Sequence, residues 1–235
     1  MINEYLMQMS EEAGLELYSL LGNLQWPAFA GILLWASLCY KVPAKHKIFL
    51  WVSFVVSRFW SGNMVPVLSS LTKGIIPGAN MGVAFGMFVL FMASIAYFAH
   101  TPILFSLDAT IPAFVLGRGL AIIGCIFAGC CYGFPVSWGI YSNVTKTLTF
   151  PTVFLDSAVS CGIVIYLICL SAQKKYSGDG TVAAMGMLFF GLLRVLIDIL
   201  RDNEKLFFML TSEGMFGLAY VICGYLLLRY IYHKR

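Results

Sequence analysis

Residues 124–135 read Gly-Cys-Ile-Phe-Ala-Gly-Cys-Cys-Tyr-Gly-Phe-Pro and crowd Cys125, Cys130 and Cys131 into one short apolar stretch. Thiols this close can bind a metal, pair as a disulfide, act as a nucleophile or pack as small apolar groups. Zinc spacing is not met: there is no Cys-x-x-Cys, and His46, His100 and His233 are all remote in sequence, so no metal is expected. A redox role needs a dithiol motif, which is missing, and a nucleophile needs a lowered pKa and usually a base. Cys39, Cys161, Cys169 and Cys223 stand singly in apolar segments and read as packing.

Arginine is the second reactive type. Arg58, Arg118 and Arg194 each fall inside a long apolar segment. A charge at mid-membrane costs from about 2.5 kcal/mol upwards, so such residues usually face protein or water and mark a functional path; the alternatives are snorkelling or a structural ion pair with Asp156 or Asp198. In Phe-Phe-Gly-Leu-Leu-Arg-Val-Leu-Ile-Asp-Ile-Leu-Arg, Arg194, Asp198 and Arg201 follow at i, i+4 and i+7 and share one helical face. One carboxylate between two guanidiniums can hold both and leave donors for an anion, and guanidinium binds phosphate through two parallel bonds. Alternatively the three residues satisfy one another and pin the helix to its neighbours.

The elements that carry these residues are membrane helices. Of 235 residues, 60% are hydrophobic and 11% charged, far below the roughly 25% charged of soluble domains. Seven segments reach the roughly 20 apolar residues that a crossing needs: 24–41, 48–70, 81–105, 109–132, 152–171, 181–200 and 211–230. The expected fold class is all-α, one membrane domain over 1–235, with a seven-helix bundle over 24–230. Residues 1–23 have no basic leader. Ile2, Tyr5, Met9, Ala13, Leu17 and Leu20 form a helical stripe with Glu4, Glu11, Glu12 and Glu16 off it, which predicts an amphipathic helix in the interface. Lys41, Lys45, Lys47, Lys174, Lys175, Arg229, Lys234 and Arg235 mark one side, against Lys73, Lys146, Arg201 and Lys205 on the other. The positive-inside rule then puts the N-terminus outside and the C-terminus in the cytoplasm. The net charge of +4 follows from this bias and implies no nucleic-acid partner.

Gly129 and Gly133 flank the cysteine pair, and Gly117, Gly119 and Gly124 precede it. Small residues permit close helix approach, and Phe134-Pro135 stops the helix. The stretch therefore reads as a packed helix end at the outer leaflet, opening into the loop Val-Ser-Trp-Gly-Ile-Tyr-Ser-Asn-Val-Thr-Lys-Thr-Leu-Thr-Phe, where backbone N–H groups can meet a lipid head group.

In this order of signals the chain resembles the prolipoprotein diacylglyceryl transferase family. That family's pattern Y-G-x-x-R-F-x-x-E-F-x-R aligns with Phe190-Gly191-Leu192-Leu193-Arg194-Val195-Leu196-Ile197-Asp198-Ile199-Leu200-Arg201, with Gly191, Arg194, Asp198 and Arg201 in register. Its signature G-R-x-G-N-F-x-N-G-E-x-x-G falls on residues 121–133, where Gly124, Gly129 and Gly133 keep register. Arg58 matches an arginine of the second span, and Asp108 and Pro112 the start of the fourth. The H-P-S-Q-L-Y-E motif survives as Phe150-Pro151-Thr152 with Asp156 near its acidic position, and Leu210–Leu218 resembles the closing S-x-G-Q segment. The departures include the signature arginine, which falls on Ile122, its asparagine on Cys125, the H-G-G histidine at about Gly86 and the first-span tyrosine on Pro27. Arg118 lies one turn before Ile122 on the same face and can supply the missing guanidinium.

The resemblance implies a multi-pass bacterial plasma-membrane enzyme that needs no cofactor and moves diacylglycerol from phosphatidylglycerol to the lipobox cysteine of a prolipoprotein. It implies Arg194 as the phosphate-holding catalytic residue, and Arg58, Arg118 and Gly133 around the head group with Cys131, Asp198 and Arg201. Cys125 and Cys130 fall on cavity-lining positions, where a thiol could carry a covalent intermediate or only shape the pocket. A second class stays open, a non-catalytic lipid-binding or lipid-moving protein that kept the cavity and lost the chemistry. A thiol-based membrane redox protein is a third, which the absence of a dithiol motif disfavours.

Overall fold

A computed structural model describes residues 2–8, 10–23, 25–39, 44–71, 81–129, 131–173, 178–202 and 210–234. The chain is mostly helical: α1 (Ile2–Gln8), α2 (Glu11–Asn23), α3 (Gln25–Cys39), α4 (Ala44–Leu71), α5 (Met81–Phe98), α6 (Ile103–Ala121), a 3-10 turn (Ile122–Gly124), α7 (Cys125–Ala128), α8 (Thr152–Ser171), α9 (Thr181–Leu200) and α10 (Ser212–Lys234). Among the described residues, four helical runs, 103–128, 152–171, 181–200 and 212–234, are long and apolar enough to cross a membrane, and 82–98 is a shorter apolar helix.

Several boundaries differ from expectation. The stretch 109–132 is not one helix to its end. Backbone hydrogen bonding tightens to a 3-10 turn at Ile122–Gly124, and α7 stops at Ala128 because Gly129 turns left-handed at φ 67°. Cys131 therefore sits beyond the helix, itself left-handed at φ 62°. Residue 105 does not end the third apolar segment: α5 stops at Phe98, His100 takes φ 52°, and Pro102 starts α6. Nor is the fold purely α. The expected loop folds into a hairpin, β1 (Pro135–Ser142) antiparallel to β2 (Thr147–Thr149), with a bulge between Pro135 and Ile140.

The N-terminal segment is two helices rather than one. Its expected apolar stripe is largely exposed at Ile2, Tyr5 and Leu20, while Leu6 is fully buried, packed among Ile122, Cys125, Ile126 and Val153. The Asn3 amide fixes α1 to the hairpin, donating from Nδ2 to the Gly139 carbonyl (2.9 Å) and accepting the Tyr141 N–H at Oδ1 (3.0 Å).

The core is aromatic. Phe85, Phe88, Phe114, Phe190 and Tyr220 meet edge-on or tilted between α5, α6, α9 and α10, which adds specific geometry to their burial. The Tyr220 hydroxyl donates to the Gly82 carbonyl and ties α10 to α5. α9 and α10 run almost backbone to backbone. A methyl at Gly217 would come within 2.8 Å of the Arg194 Cβ and 2.9 Å of the Gly191 carbonyl oxygen. Only glycine permits that approach, and it sets Arg194 against the rest of the bundle.

Candidate functional site

Charged side chains converge where α6 ends, α8 begins, α9 ends and α10 begins. Arg194 is 1% exposed, Asp156 not at all, Asp198 2%, and Arg118 and Arg201 6% each. Burying ions is tolerated only when they are paired and hydrogen-bonded.

Asp156, in the second turn of α8, provides the pairing. Its Oδ1 accepts from Arg194 Nη2, and its Oδ2 lies 3.5 Å from Arg118 Nη2. Ser160, one turn on, donates its hydroxyl to Oδ1 at 3.5 Å. One carboxylate thus holds two guanidiniums from two other helices, one oxygen to each. Arg194 also lies over the Phe190 ring, 5.3 Å from guanidinium carbon to ring centre. Arg194 Nη1, Arg194 Nε and Arg118 Nε are buried with no partner among the described residues. Two guanidiniums against one carboxylate leave this trio with one excess positive charge.

The expected grouping of Arg194, Asp198 and Arg201 is therefore re-partnered. Their shared face is real, but packing against α8 gives Arg194 to Asp156. Asp198 accepts the Thr211 N–H (2.7 Å) and hydroxyl (2.5 Å) at the entry to α10. Arg201 Nη1 donates to Glu213 Oε2 at 3.0 Å in the first turn of α10.

The glycine-rich stretch closes over this end. Gly133 bridges to Arg201, Phe134 N–H donates to the Leu200 carbonyl (3.2 Å), and Phe150 N–H donates to the Phe134 carbonyl (3.0 Å). A side chain at Gly133 would press on Phe150 and Thr152 within 3 Å. The Thr152 hydroxyl donates to the Cys131 carbonyl at 2.8 Å. These contacts bind the Gly-Phe-Pro segment, the hairpin and the start of α8 to the end of α9.

Beneath the hairpin lies a pocket of about 30 Å³ whose lining includes Cys125, Tyr132, Tyr141, Ser142 and Thr152. Cys125 is buried there at the start of α7, beside the apolar Leu6 cluster. Cys125 and Cys131 both lie within electrostatic reach of Arg118. Cys130 is outside the described residues. Arg58, on α4, donates from Nη2 to Gln25 Oε1 (3.2 Å) at the start of α3. Ile122, where the family signature has its arginine, is fully buried in the Leu6 cluster, while Arg118 one turn earlier reaches Asp156.

The sequence points to Arg118 and Arg194 but leaves Asp156 as one of two alternative partners, and it assigns no role to Thr211 or Glu213. The signal for Asp156 was present: it is the one acidic residue between positions 152 and 171, and an isolated carboxylate in an apolar segment demands a cation.

The family model for prolipoprotein diacylglyceryl transferase matches residues 16–230. The chain is 25% identical over 173 residues to the phosphatidylglycerol–prolipoprotein diacylglyceryl transferase of Dehalococcoides mccartyi, covering 70% of this chain and 63% of that one. It is 27% identical over 167 residues to the enzyme of the same name from Clostridium tetani, covering 67% and 64%. A second form from Clostridium perfringens is 26% identical over 128 residues, covering 52% and 49%. The chain thus spans somewhat less than two thirds of the length of the relatives it matches. With the match running from α2 into α10 and through every charged residue of the buried cluster, the chain belongs to the prolipoprotein diacylglyceryl transferase family.

Proposed function

We propose that the protein transfers a diacylglyceryl group from an anionic phospholipid of the phosphatidylglycerol type to the lipobox cysteine of a prolipoprotein. The observation that carries this is the buried Arg118–Asp156–Arg194 trio, with donors at Arg194 Nη1, Arg194 Nε and Arg118 Nε left for an anion. The acceptor sulfur forms a bond to the glyceryl carbon as that carbon's bond to the phosphate oxygen breaks. Glycerol phosphate leaves with the electron pair, and the thiol proton passes to a base or to solvent. Arg194 holds the phosphate and stabilises the charge growing on the leaving group, where aligned donors act most strongly. Arg118 supplies the guanidinium that Ile122 lacks. Arg58, Gly133 and Cys131 shape the head-group side, and Asp198 and Arg201 fix the end of α9 against α10. Cys125 and Cys130 remain the candidates for a covalent intermediate, although the apolar packing around Cys125 favours a pocket-shaping role for it. No cofactor enters.

In the membrane, seven crossings beginning at α3 place this end of the bundle at the outer leaflet of the bacterial plasma membrane. The N-terminus is then outside, α1 and α2 lie in the interface, and the C-terminus is cytoplasmic, in keeping with the Lys and Arg distribution. The departures at Ile122, Cys125 and about Gly86 favour a second reading, a lipid-binding protein without transfer activity.

The purified protein, given labelled phosphatidylglycerol and a prolipoprotein peptide, is expected to form the thioether product, and Arg194→Lys to abolish it while the protein stays folded. Selective retention of phosphatidylglycerol over phosphatidylcholine without any product would move the assignment to the second reading.

A further inference from the structure

Asp156 is not among the residues expected to meet the lipid, yet the pairing of the two buried arginines passes through it. Two guanidiniums of like charge, one on α6 and one on α9, repel each other at short range in a low-dielectric interior. They share the site because one carboxylate on a third helix takes Arg194 on Oδ1 and Arg118 on Oδ2. A carboxylate that met either arginine fork-to-fork would consume two donors of that arginine. Here each arginine gives Asp156 a single Nη2, and Nη1 and Nε of Arg194 and Nε of Arg118 stay unpartnered. Asp156 is itself steadied from its own helix by Ser160.

We propose that Asp156 is a positioning residue of the anion site, holding the Arg118 and Arg194 guanidiniums together by one oxygen each so that both serve a single phosphate. This rests on the phospholipid-transfer reading above, which assigns the anion. The carboxylate does not take part in bond making. It sets the separation and rotamers of the two cations, so its loss should lower the rate of the bound complex more than lipid uptake. A carboxylate that merely neutralised buried charge would matter for folding and not for kcat.

Four proteins test it: wild type, Asp156→Glu, Arg118→Gln, and the double variant Asp156→Asn/Arg118→Gln, which removes one charge of each sign and avoids an unbalanced buried pair. Melting temperature, kcat and KM for labelled phosphatidylglycerol, and the ratio of phosphatidylglycerol to phosphatidylcholine retained are measured on each. The expected result is a double variant melting near wild type with kcat at least about tenfold below Arg118→Gln alone and KM little changed, while Asp156→Glu recovers to within about tenfold of wild type. A double variant equal to Arg118→Gln in kcat, or losses that follow melting temperature alone, overturns the proposal. If wild type discriminates between the lipids but transfers nothing, the transfer reading fails and Asp156 is judged on retention. Discrimination lost in the double variant beyond Arg118→Gln and kept in Asp156→Glu supports it, and discrimination unchanged from Arg118→Gln overturns it. A wild type that neither transfers nor discriminates overturns both.

Discussion

α9 is held by a buried carboxylate near each of its ends, and the two are used differently. At its start, Asp108 of α6 accepts the Gly180 N–H (2.8 Å) and the Ala183 N–H (2.6 Å). These are backbone donors that a helix always leaves unpaired at its N-terminus, and the negative charge also suits the helix dipole. Among the described residues no buried side-chain donor is left over at this end, and the arrangement is a tertiary cap. Toward the other end, Asp156 of α8 meets cations rather than amides, two for one carboxylate, and buried donors remain. A buried charge whose partners close the account of hydrogen bonds is there for the fold. One whose partners leave donors over fits the anion site proposed above.

That contrast breaks most sharply at Arg194. Arg194→Lys keeps the charge and loses the fork. Loss of one oriented donor removes about 2.7–4 kcal/mol of transition-state stabilisation, roughly a hundred- to thousandfold in turnover, with the melting temperature near wild type. Asp108→Asn should do the reverse. Its side chain can accept only one of the two N–H groups well, and losing a charge-assisted bond costs about 1.5–3 kcal/mol of stability, with turnover per folded molecule unchanged. Thermal melting and labelled-lipid turnover on the two variants check both. Equal activity losses would mean that the two carboxylates are not of different kinds.

The Asp108 end was legible only as a match to the start of a family span, whereas the arginine end was legible as chemistry. A guanidinium in an apolar run stands out in any sequence, and Arg194 with Gly191 and Arg201 keeps a fixed helical register. What the sequence hides is the partner. Whether Arg194 meets Asp198, four residues away, or Asp156, on another helix, depends on how α8 packs beside α9, and helical periodicity carries no information on that. The hairpin was hidden for a different reason. Its strands alternate poorly because the bulge between Pro135 and Ile140 shifts the register, and its turn lacks the Asn-Gly pair that signals a tight hairpin. The end of α7 was misplaced because Gly129 ends it in a stretch where closely spaced glycines suggested continued helix packing.

Between the two carboxylates, α9 is positioned by its contact with α10, and this gives a smaller expected effect. Gly217→Ala inserts a methyl against the Arg194 Cβ and the Gly191 carbonyl. Overpacking of this kind costs typically about 1–3 kcal/mol. Because the strained contact is with Arg194 itself, turnover should fall along with stability, by roughly two- to tenfold if half of the strain reaches the guanidinium. Gly224→Ala, which presses on α9 at Ala184 and Leu188, near the Asp108 end, should destabilise similarly and leave turnover per folded molecule intact. If both glycines affect turnover alike, the two ends of α9 are mechanically coupled.

The smallest effect is expected at Cys125, and it separates pocket from chemistry on the hairpin side. Cys125 is 7% exposed, with Leu6, Ile122, Ile126 and Val153 about it. The pocket it lines is also bounded by Tyr132, Ser142 and Thr152, so an oxygen placed there has hydroxyl groups within the same small space. Cys125→Ser should therefore cost only about 1 kcal/mol, the net worth of a hydrogen bond gained or lost, and Cys125→Ala the small cavity left by a sulfur. If the residue only shapes the pocket, both variants transfer lipid at close to the wild-type rate. If its thiolate, drawn by Arg118, carried the diacylglyceryl group, serine would be a far weaker nucleophile at neutral pH. Alanine would then abolish turnover, since removing a nucleophile costs on the order of a millionfold. Turnover of Cys125→Ala within a few-fold of wild type would remove the covalent route through this residue and leave the arginine end of α9 to carry the reaction.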